Sequence, residues 1–262
     1  MAQQATIEYP VIHVPAPAAL REDTVRFLRW LEPERCVVFA SWAALEPEEG
    51  QLDAEAVENL RRRLIAVSAL DIEPVLCLYR GEDPVWFTAR GGWRKEDNLR
   101  CYLRYVGRVV RSVGHLAGSY ITFYAPNQQL LRFPLPMGTT TAISHVACVH
   151  VRAYRLIRDL REARQLGETR VGFVLHVVSD SDMRRDLIHG RIPSAGTVYQ
   201  QLTAQAMAKG DFRAPLRNVL RIQPGTWTDF IGVVGPQGEA MRRECCRAAR
   251  EWTGAEAWSL EE

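Results

Sequence analysis

The sequence predicts an α/β protein with a single domain over residues 1–262, folded as a TIM-type β/α barrel. Short apolar runs, typical of buried strands, alternate along the chain with longer segments of helical periodicity. The length of 262 residues is close to the about 250 residues of a typical barrel of this type. Hydrophobic residues make up 47% of the chain, which is enough to bury a full core.

The first half of the chain shows this alternation most regularly. Cys36–Trp42 is continuously apolar, which is typical of a strand buried on both faces. Asn98–Val113 carries apolar residues at three- and four-residue steps, which predicts a helix. Asp53 is a suitable N-cap for the helix that follows it. The predicted strands are Tyr9–Val14, Cys36–Trp42, Ile72–Arg80 and Tyr120–Phe123, and the predicted helices are Arg21–Leu31, Ala54–Leu70 and Asn98–Val113.

The second half continues the pattern and brings the number of strand-like segments to seven. A long helix is predicted first, because apolar residues recur on one side of it. The predicted elements are the helix Ala142–Leu166, the strand Arg170–Val178, the strand Asp229–Val233, the helix Glu239–Trp252 and the strand Ala257–Leu260.

Composition excludes several functional classes. Lys and Arg total 33 against 31 Asp and Glu, a net charge of +2, so we expect no nucleic-acid partner. The six cysteines form no CxxC pair, which predicts buried thiols in a reducing compartment. No long apolar run and no signal-peptide pattern is present, so we expect a cytoplasmic protein without a membrane partner. No glycine-rich phosphate loop is present, and we expect no cofactor.

Several local motifs resemble those of glycoside hydrolase family 1, the β-glucosidase family. They are Pro84-Val-Trp-Phe followed by Gly91-Gly-Trp93, the strand and turn Ile121–Pro126, the segment Val198–Arg213, and Asp229-Phe-Ile-Gly-Val233. Ser41-Trp42 followed by a Pro-Glu-containing loop is also similar to the family's second strand and its loop. The resemblance covers nearly the whole chain and implies a β/α barrel of the β-glucosidase type.

The sequence departs from this family where the family's catalytic residues lie. The family carries Thr-Phe-Asn-Glu-Pro after its fourth strand, and the catalytic Glu of that motif corresponds to Ala125. The Thr-Glu-Asn-Gly motif that holds the nucleophile is missing, and the interval from Gly235 to Glu239 is too short for the strand that carries it. The resemblance therefore implies a shortened barrel, with the region of strand seven deleted and closure in doubt. An incomplete barrel would leave a sheet edge through which copies of the chain could pair.

Two readings of the chemistry follow from these departures. In the first, the protein is catalytically inactive, since retaining glycosidases require two flanking carboxylates. In the second, it hydrolyses O-glycosyl bonds with other acids. The substitutes are Glu82 and Asp83 after the third predicted strand, and Glu261 and Glu262 after the last one.

A residual ligand pocket is the third expectation, and a partner-binding or structural module is its alternative. Arg80 stands where the family has a sugar-binding histidine, and a guanidinium there favours an anionic ligand. The pocket would bind a β-glycoside or an anionic sugar. The candidate lining residues are Trp42, Arg80, Tyr124, Asn127, His176 and Trp258. We expect no metal, because His145 and His150 lack the four-residue spacing that aligns two ligands on a helix.

Overall fold

A computed structural model describes residues 22–129, 137–179, 184, 188, 199–235 and 239–260. Six strands of this part of the chain form one parallel sheet, in which each strand pairs with the next in sequence. The strands are β1 (Arg35–Phe39), β2 (Glu73–Cys77), β3 (Ser119–Tyr124), β4 (Arg170–His176), β5 (Phe230–Val234) and β6 (Glu256–Ser259). This order confirms the predicted β/α barrel in shortened form.

Helices connect the strands and pack on the outside of the curled sheet. They are α1 (Glu22–Leu31), α2 (Trp42–Leu45), α3 (Ala54–Ser68), α4 (Val85–Ala89), α5 (Leu99–Val113), α6 (Pro126–Gln129), α7 (Met137–Glu162), α8 (Gln200–Lys209) and α9 (Glu239–Thr253). The predicted strand Tyr9–Val14 lies outside the described residues. Every other predicted strand corresponds to an observed one.

Several predicted boundaries are wrong, among them the end of β2, which is Cys77 instead of Arg80, and the end of α7, which is Glu162 instead of Leu166. The apolar run was expected to remain a strand up to Trp42, but β1 ends at Phe39 and Trp42 begins α2. The hydroxyl of Ser41 accepts a hydrogen bond from the Ala44 amide (3.4 Å) and so caps this short helix. The long helix α7 begins at Met137, five residues before the predicted start at Ala142. By contrast, Asp53 caps α3 as predicted, accepting from the Ala56 amide at 2.7 Å.

Two apolar clusters lie on the two faces of the sheet. The larger one fills the layer between the sheet and the helices. The smaller one fills the concave interior and includes Val37 from β1 and Leu260 beyond β6. Gly172 makes room in this interior, because a Cβ there would lie 2.7 Å from the Phe230 ring and 2.3 Å from its carbonyl oxygen.

Hydrogen bonds of buried polar side chains connect α7 to the sheet. The His150 ring bridges β3 and the segment before β5, with Nδ1 2.6 Å from the Thr122 hydroxyl and Nε2 2.8 Å from the Trp227 carbonyl. Because a carbonyl only accepts, Nε2 carries the proton and Nδ1 accepts from Thr122. Burial lowers the pKa of His150 to about 3, so the ring is neutral.

A buried arginine performs a similar role at the end of the same helix. Arg161, which is 4% exposed, donates to the carbonyls of Gly114 (2.5 Å) and Ala117 (2.6 Å). It also donates to the hydroxyls of Tyr120 (3.0 Å) and Thr169 (2.7 Å). These contacts join the carboxyl end of α7 to the segment that precedes β3.

The six cysteines are all buried thiols, in agreement with the prediction. They are Cys36, Cys77, Cys101, Cys148, Cys245 and Cys246. Within the described ranges, none of the helices is long and apolar enough to cross a lipid bilayer.

Candidate functional site

The candidate site lies at the carboxyl ends of the strands, the end of a β/α barrel at which chemistry is normally placed. The parallel sheet brings the residues that end or follow strands β1 to β5 to the same end of the sheet. These residues are Ser41, Arg80, Glu82, Asp83, Tyr124, Ala125, Asn127, His176 and Gly235.

The end of β3 is shaped by an irregularity in its pairing with β4. Ile121 pairs with Gly172, but the next paired residue, Tyr124, lies opposite Val174, so β3 has one extra residue. The extra residue shifts the side-chain alternation, and Ile121 and Tyr124 therefore both face the concave interior. Without the bulge, their odd spacing would place them on opposite faces.

Ala125 follows in a left-handed backbone conformation with φ +47°. Its amide donates to the Val174 carbonyl at 2.9 Å, and the residue is 1% exposed. A methyl group can neither donate nor accept a proton. The position therefore supplies no acid–base function at the end of β3.

Asn127 fixes the loop after β3 to the end of β4. Its side-chain amide nitrogen donates to the His176 carbonyl (2.7 Å), and its oxygen accepts from the His176 amide (3.1 Å). The residue is 2% exposed. The structure therefore gives Asn127 a positioning contact with the main chain beside the predicted site.

Arg80 rests on an aromatic pair. Its guanidinium carbon lies 4.6 Å from the centroid of the Phe39 ring and 5.8 Å from that of Tyr124. The two rings meet edge to face, with centroids 5.3 Å apart. Of the predicted site residues, the structure thus brings Arg80 and Tyr124 together, and it adds Phe39, which the sequence analysis had missed.

The two acids after β2 have different surroundings. Glu82 is exposed, and its carboxylate accepts a hydrogen bond of 2.6 Å from the Ser41 hydroxyl. Asp83 accepts from the Tyr79 hydroxyl (2.8 Å) and from Trp93 Nε1 (3.0 Å). Asp83 is therefore bound to side chains of the layer between sheet and helices.

Cys77 lies on the interior face of β2, three residues before Arg80. Burial raises the pKa of its thiol to about 12, against the opposing effects of a hydrogen bond with the Tyr79 backbone and of the Arg80 charge. A thiol is nucleophilic only as the thiolate. Near neutral pH Cys77 is consequently a neutral thiol and not a nucleophile.

His176 stands at the end of β4, half-buried, against the backbone of Gly235 at the end of β5. A Cβ on Gly235 would lie 2.5 Å from His176 Nε2, and φ at this glycine is +103°. Position 235 therefore requires glycine both for its conformation and for the space that the imidazole occupies.

Trp42 does not lie where the pocket was expected, because it is part of a helix and not of a strand. The residue belongs to α2, is 1% exposed and donates from Nε1 to the buried Glu46 at 3.0 Å. Its ring packs in the layer between sheet and helices, where it contacts other aromatic rings. These are Tyr79, Trp86, Phe87, Trp93, Tyr102 and Tyr105.

Trp258 faces the interior but points to the opposite end of the sheet from Arg80. Its ring stacks on Phe230 with centroids 3.6 Å apart, and it lies 4.8 Å from Arg35 and 5.0 Å from Arg170. Those arginines begin β1 and β4, so Trp258 reaches the amino ends of the strands. The predicted grouping of Trp258 with Arg80 is wrong.

Glu261 and Glu262, the other proposed acids, lie outside the described residues.

Comparison with known proteins places this geometry in context. No family model matches the chain. The galactolipid galactosyltransferase SFR2 of Arabidopsis thaliana, a chloroplastic protein, is 25% identical over 174 residues, which is 52% of this chain and 28% of that protein.

Solved structures match more of the chain. A β-glycosidase from Pyrococcus horikoshii has a TM-score of 0.62 at 22% identity, over 82% of this chain and 51% of that one. A β-glucosidase from Thermotoga maritima, in complex with deoxynojirimycin, has a TM-score of 0.64 at 15% identity, over 81% and 52%. A β-glucosidase from Exiguobacterium marinum has a TM-score of 0.60 at 18% identity, over 81% and 53%.

The fold is that of the β-glucosidases. The protein is glycoside hydrolase-like in architecture, as the sequence motifs implied. It spans about half the length of these three solved structures and 28% of the curated relative.

Among the described residues, no group of three or more His, Cys, Asp or Glu side chains is arranged to hold a metal ion. The polar side chains described at this end of the sheet include Arg80, His176, Glu82 and the Ser41 hydroxyl.

Proposed function

We propose that this protein is a glycosidase-like protein that binds a sugar-sized ligand at the carboxyl ends of its strands without hydrolysing it. The observation that carries the proposal is Ala125, a buried alanine at the end of β3. Its place in the motif is that of the acid/base Glu in the resembling family. The sequence also lacks the Thr-Glu-Asn-Gly motif that would supply a nucleophile.

The expected loss of rate is large. Retaining hydrolysis uses two carboxylates about 5 to 5.5 Å apart, one as acid/base and one as nucleophile. General acid catalysis alone contributes about 10²–10⁴-fold. Absence of both groups would leave ligand binding with little acceleration of the chemical step.

An active hydrolase that uses Glu82 is the alternative function. Its supporting observation is that Glu82 is exposed at the same sheet end and accepts from Ser41 (2.6 Å). Asp83 supports this alternative less well, because its carboxylate accepts from Tyr79 and Trp93.

The test is hydrolysis of a panel of aryl β-glycosides, plain and 6-phosphorylated, by the unmodified protein, Ala125→Glu and Glu82→Gln. We expect no turnover by any of the three. Turnover by the unmodified protein overturns the proposal. Its loss in Glu82→Gln would then establish the alternative, whereas its retention would place the catalytic acid elsewhere.

A further inference from the structure

We infer that Arg80 is the main contact of a binding site for an anionic group, a carboxylate or a phosphate, on a monosaccharide-sized ligand. The site is formed by the carboxyl ends of β2, β3 and β4. This inference rests on the proposed function, because it names the class of sugar ligand that the proposed site would bind.

The first argument is the position of Arg80. The Tyr124 amide donates to the Tyr79 carbonyl at 2.8 Å, which continues the pairing of β2 and β3 beyond β2. The next residues on the two chains, Arg80 and Ala125, are therefore neighbours. A carboxylate at position 125 would repel a bound anion, whereas the alanine does not.

The second argument is the way in which the guanidinium is held. The guanidinium carbon of Arg80 lies over the Phe39 ring, 4.6 Å from its centroid, which is a cation–π contact. An anion is bound by the N–H groups in the guanidinium plane, often in a bidentate manner. The two contacts are geometrically compatible, and the aromatic support reduces the side-chain freedom that binding would otherwise remove.

The third argument is the distribution of acids at this end of the sheet. Glu82 accepts from the Ser41 hydroxyl, and Asp83 accepts from Tyr79 and Trp93 in the layer outside the sheet. The Asp83 carboxylate is therefore directed to the helix side of the sheet, while the Arg80 guanidinium lies against Phe39 and Tyr124 of the interior cluster.

The fourth argument concerns the size of the ligand. His176 ends β4 on the other side of β3, so two strand spacings of about 4.8 Å separate its strand from β2. An imidazole at that distance can exchange a hydrogen bond with a hydroxyl of a sugar whose anionic group is bound by Arg80. The contacts of Asn127 with the His176 main chain fix the position of His176 at the end of β4.

The test measures binding by thermal shift and titration calorimetry with four probes: glucose 6-phosphate, glucuronate, glucose and inorganic phosphate. Because these probes lack an aglycone, the assay stays readable even if aryl glycosides are hydrolysed, and the two proposals can fail separately. We expect glucose 6-phosphate, glucuronate or both to bind at least tenfold more tightly than glucose. The comparison of these two sugars identifies the anionic group.

Three variants test whether Arg80 causes the preference for the anionic sugar. Arg80→Gln is expected to remove the preference for the anionic sugar. Arg80→Lys, which keeps the charge but not the bidentate geometry, should weaken binding at least threefold, and the surface control Arg62→Gln should change nothing. Equal binding of glucose, absence of binding by both anionic sugars, or unchanged binding in Arg80→Gln overturns the inference. Inorganic phosphate binding as tightly as the sugars would also overturn it, since the site would then hold an adventitious ion only.

Discussion

The guanidinium of Arg35 lies 4.8 Å from the centroid of the Trp258 ring, although the two residues belong to the two edge strands of the sheet. Trp258 is stacked on Phe230 at an interplanar angle of 10°, and Arg170 contacts it as well. Residues of β1, β4, β5 and β6 thus meet around one indole ring. Side-chain contacts therefore connect the two edges across the interior of the curled sheet.

We expect Trp258→Ala to lower the free energy of unfolding by about 3–5 kcal/mol, the usual cost of removing a large buried aromatic ring. The measurement is urea unfolding followed by circular dichroism. Trp30→Ala is the matched control, since Trp30 is 77% exposed, and we expect a change within about 0.5 kcal/mol. Equal effects of the two substitutions would contradict the role given to Trp258.

We expect low pH to reduce the free energy of unfolding because of His150. The pKa of this buried ring is lowered to about 3 in the folded protein and is about 6.5 in the unfolded chain. Between these values the unfolded state binds more protons, so stability is complete above pH 6.5 and falls as the pH decreases towards 3. The expected slope from this residue is about 1.4 kcal/mol per pH unit.

His150→Gln should remove this dependence. We expect it to be less stable than the unmodified protein at pH 7 and to approach it in stability as the pH falls from 6.5. His115→Gln is the control, because His115 is exposed, although burial and then the charges of Arg61 and Arg164 also lower its pKa. A stability difference for His150→Gln that is independent of pH would refute the prediction.

Arg161→Lys should destabilise the protein by about 3 kcal/mol. A lysine cannot reach the carbonyls of Gly114 and Ala117 together with the hydroxyl groups that Arg161 now contacts. The Tyr120 hydroxyl would still donate to both carbonyls, so the cost comes from the lost hydrogen bonds of a buried charged donor, each of which contributes about 1.5–3 kcal/mol. Arg164→Lys serves as the control, since Arg164 is exposed and donates to a single carbonyl, that of Arg111. The measurement is the free energy of chemical unfolding of both variants, and equal values would contradict the prediction.

Gly235→Ala tests the contact with His176. The new Cβ would meet the imidazole at 2.5 Å and would also occupy a backbone conformation with φ +103°. Gly167→Ala provides the comparison, because φ is +71° there and no atom lies within 4 Å of the new Cβ. We expect about 1–2 kcal/mol for Gly167→Ala, from backbone strain alone. A clearly larger loss for Gly235→Ala, with a shifted His176 resonance by NMR, is the expected result.

Removal of Asp83 and removal of Glu82 should change the free energy of unfolding by different amounts. We expect Asp83→Ala to cost about 2 kcal/mol, because Tyr79 and Trp93 lose a charged acceptor. Glu82→Ala should change the unfolding free energy by less than about 0.5 kcal/mol, as for other exposed residues. If both variants had native stability, the structural role of Asp83 would be wrong.

Much of the fold could be predicted from local sequence. Strands β1 to β6 were expected near their observed positions, since buried strands of a parallel sheet are continuous apolar runs separated by helical patterns. The N-cap Asp53 was also predicted correctly, because capping depends on contacts a few residues away. The end of β1 was predicted less well, since an apolar run continues through Ser41 into a helix.

Less of the candidate site could be predicted. The neutral residue at position 125 is visible in the sequence, but its left-handed conformation is not. Asp83 accepts from Trp93, 10 residues away in the chain, and Asn127 contacts His176, 49 residues away. Pairings at such distances follow from the packing of several elements together, which a local pattern does not contain.

The sequence by itself determined the β/α alternation, the resemblance of several motifs to the β-glucosidase family and the alanine at position 125. Only the tertiary structure decided which side chains meet. The start of α2 placed Trp42 between the sheet and the helices, and Trp258 lies towards the amino ends of the strands. The bulge in β3 turned Tyr124 towards Arg80. The reason is geometric: one extra residue reverses the face to which a strand side chain points, and composition does not record that reversal.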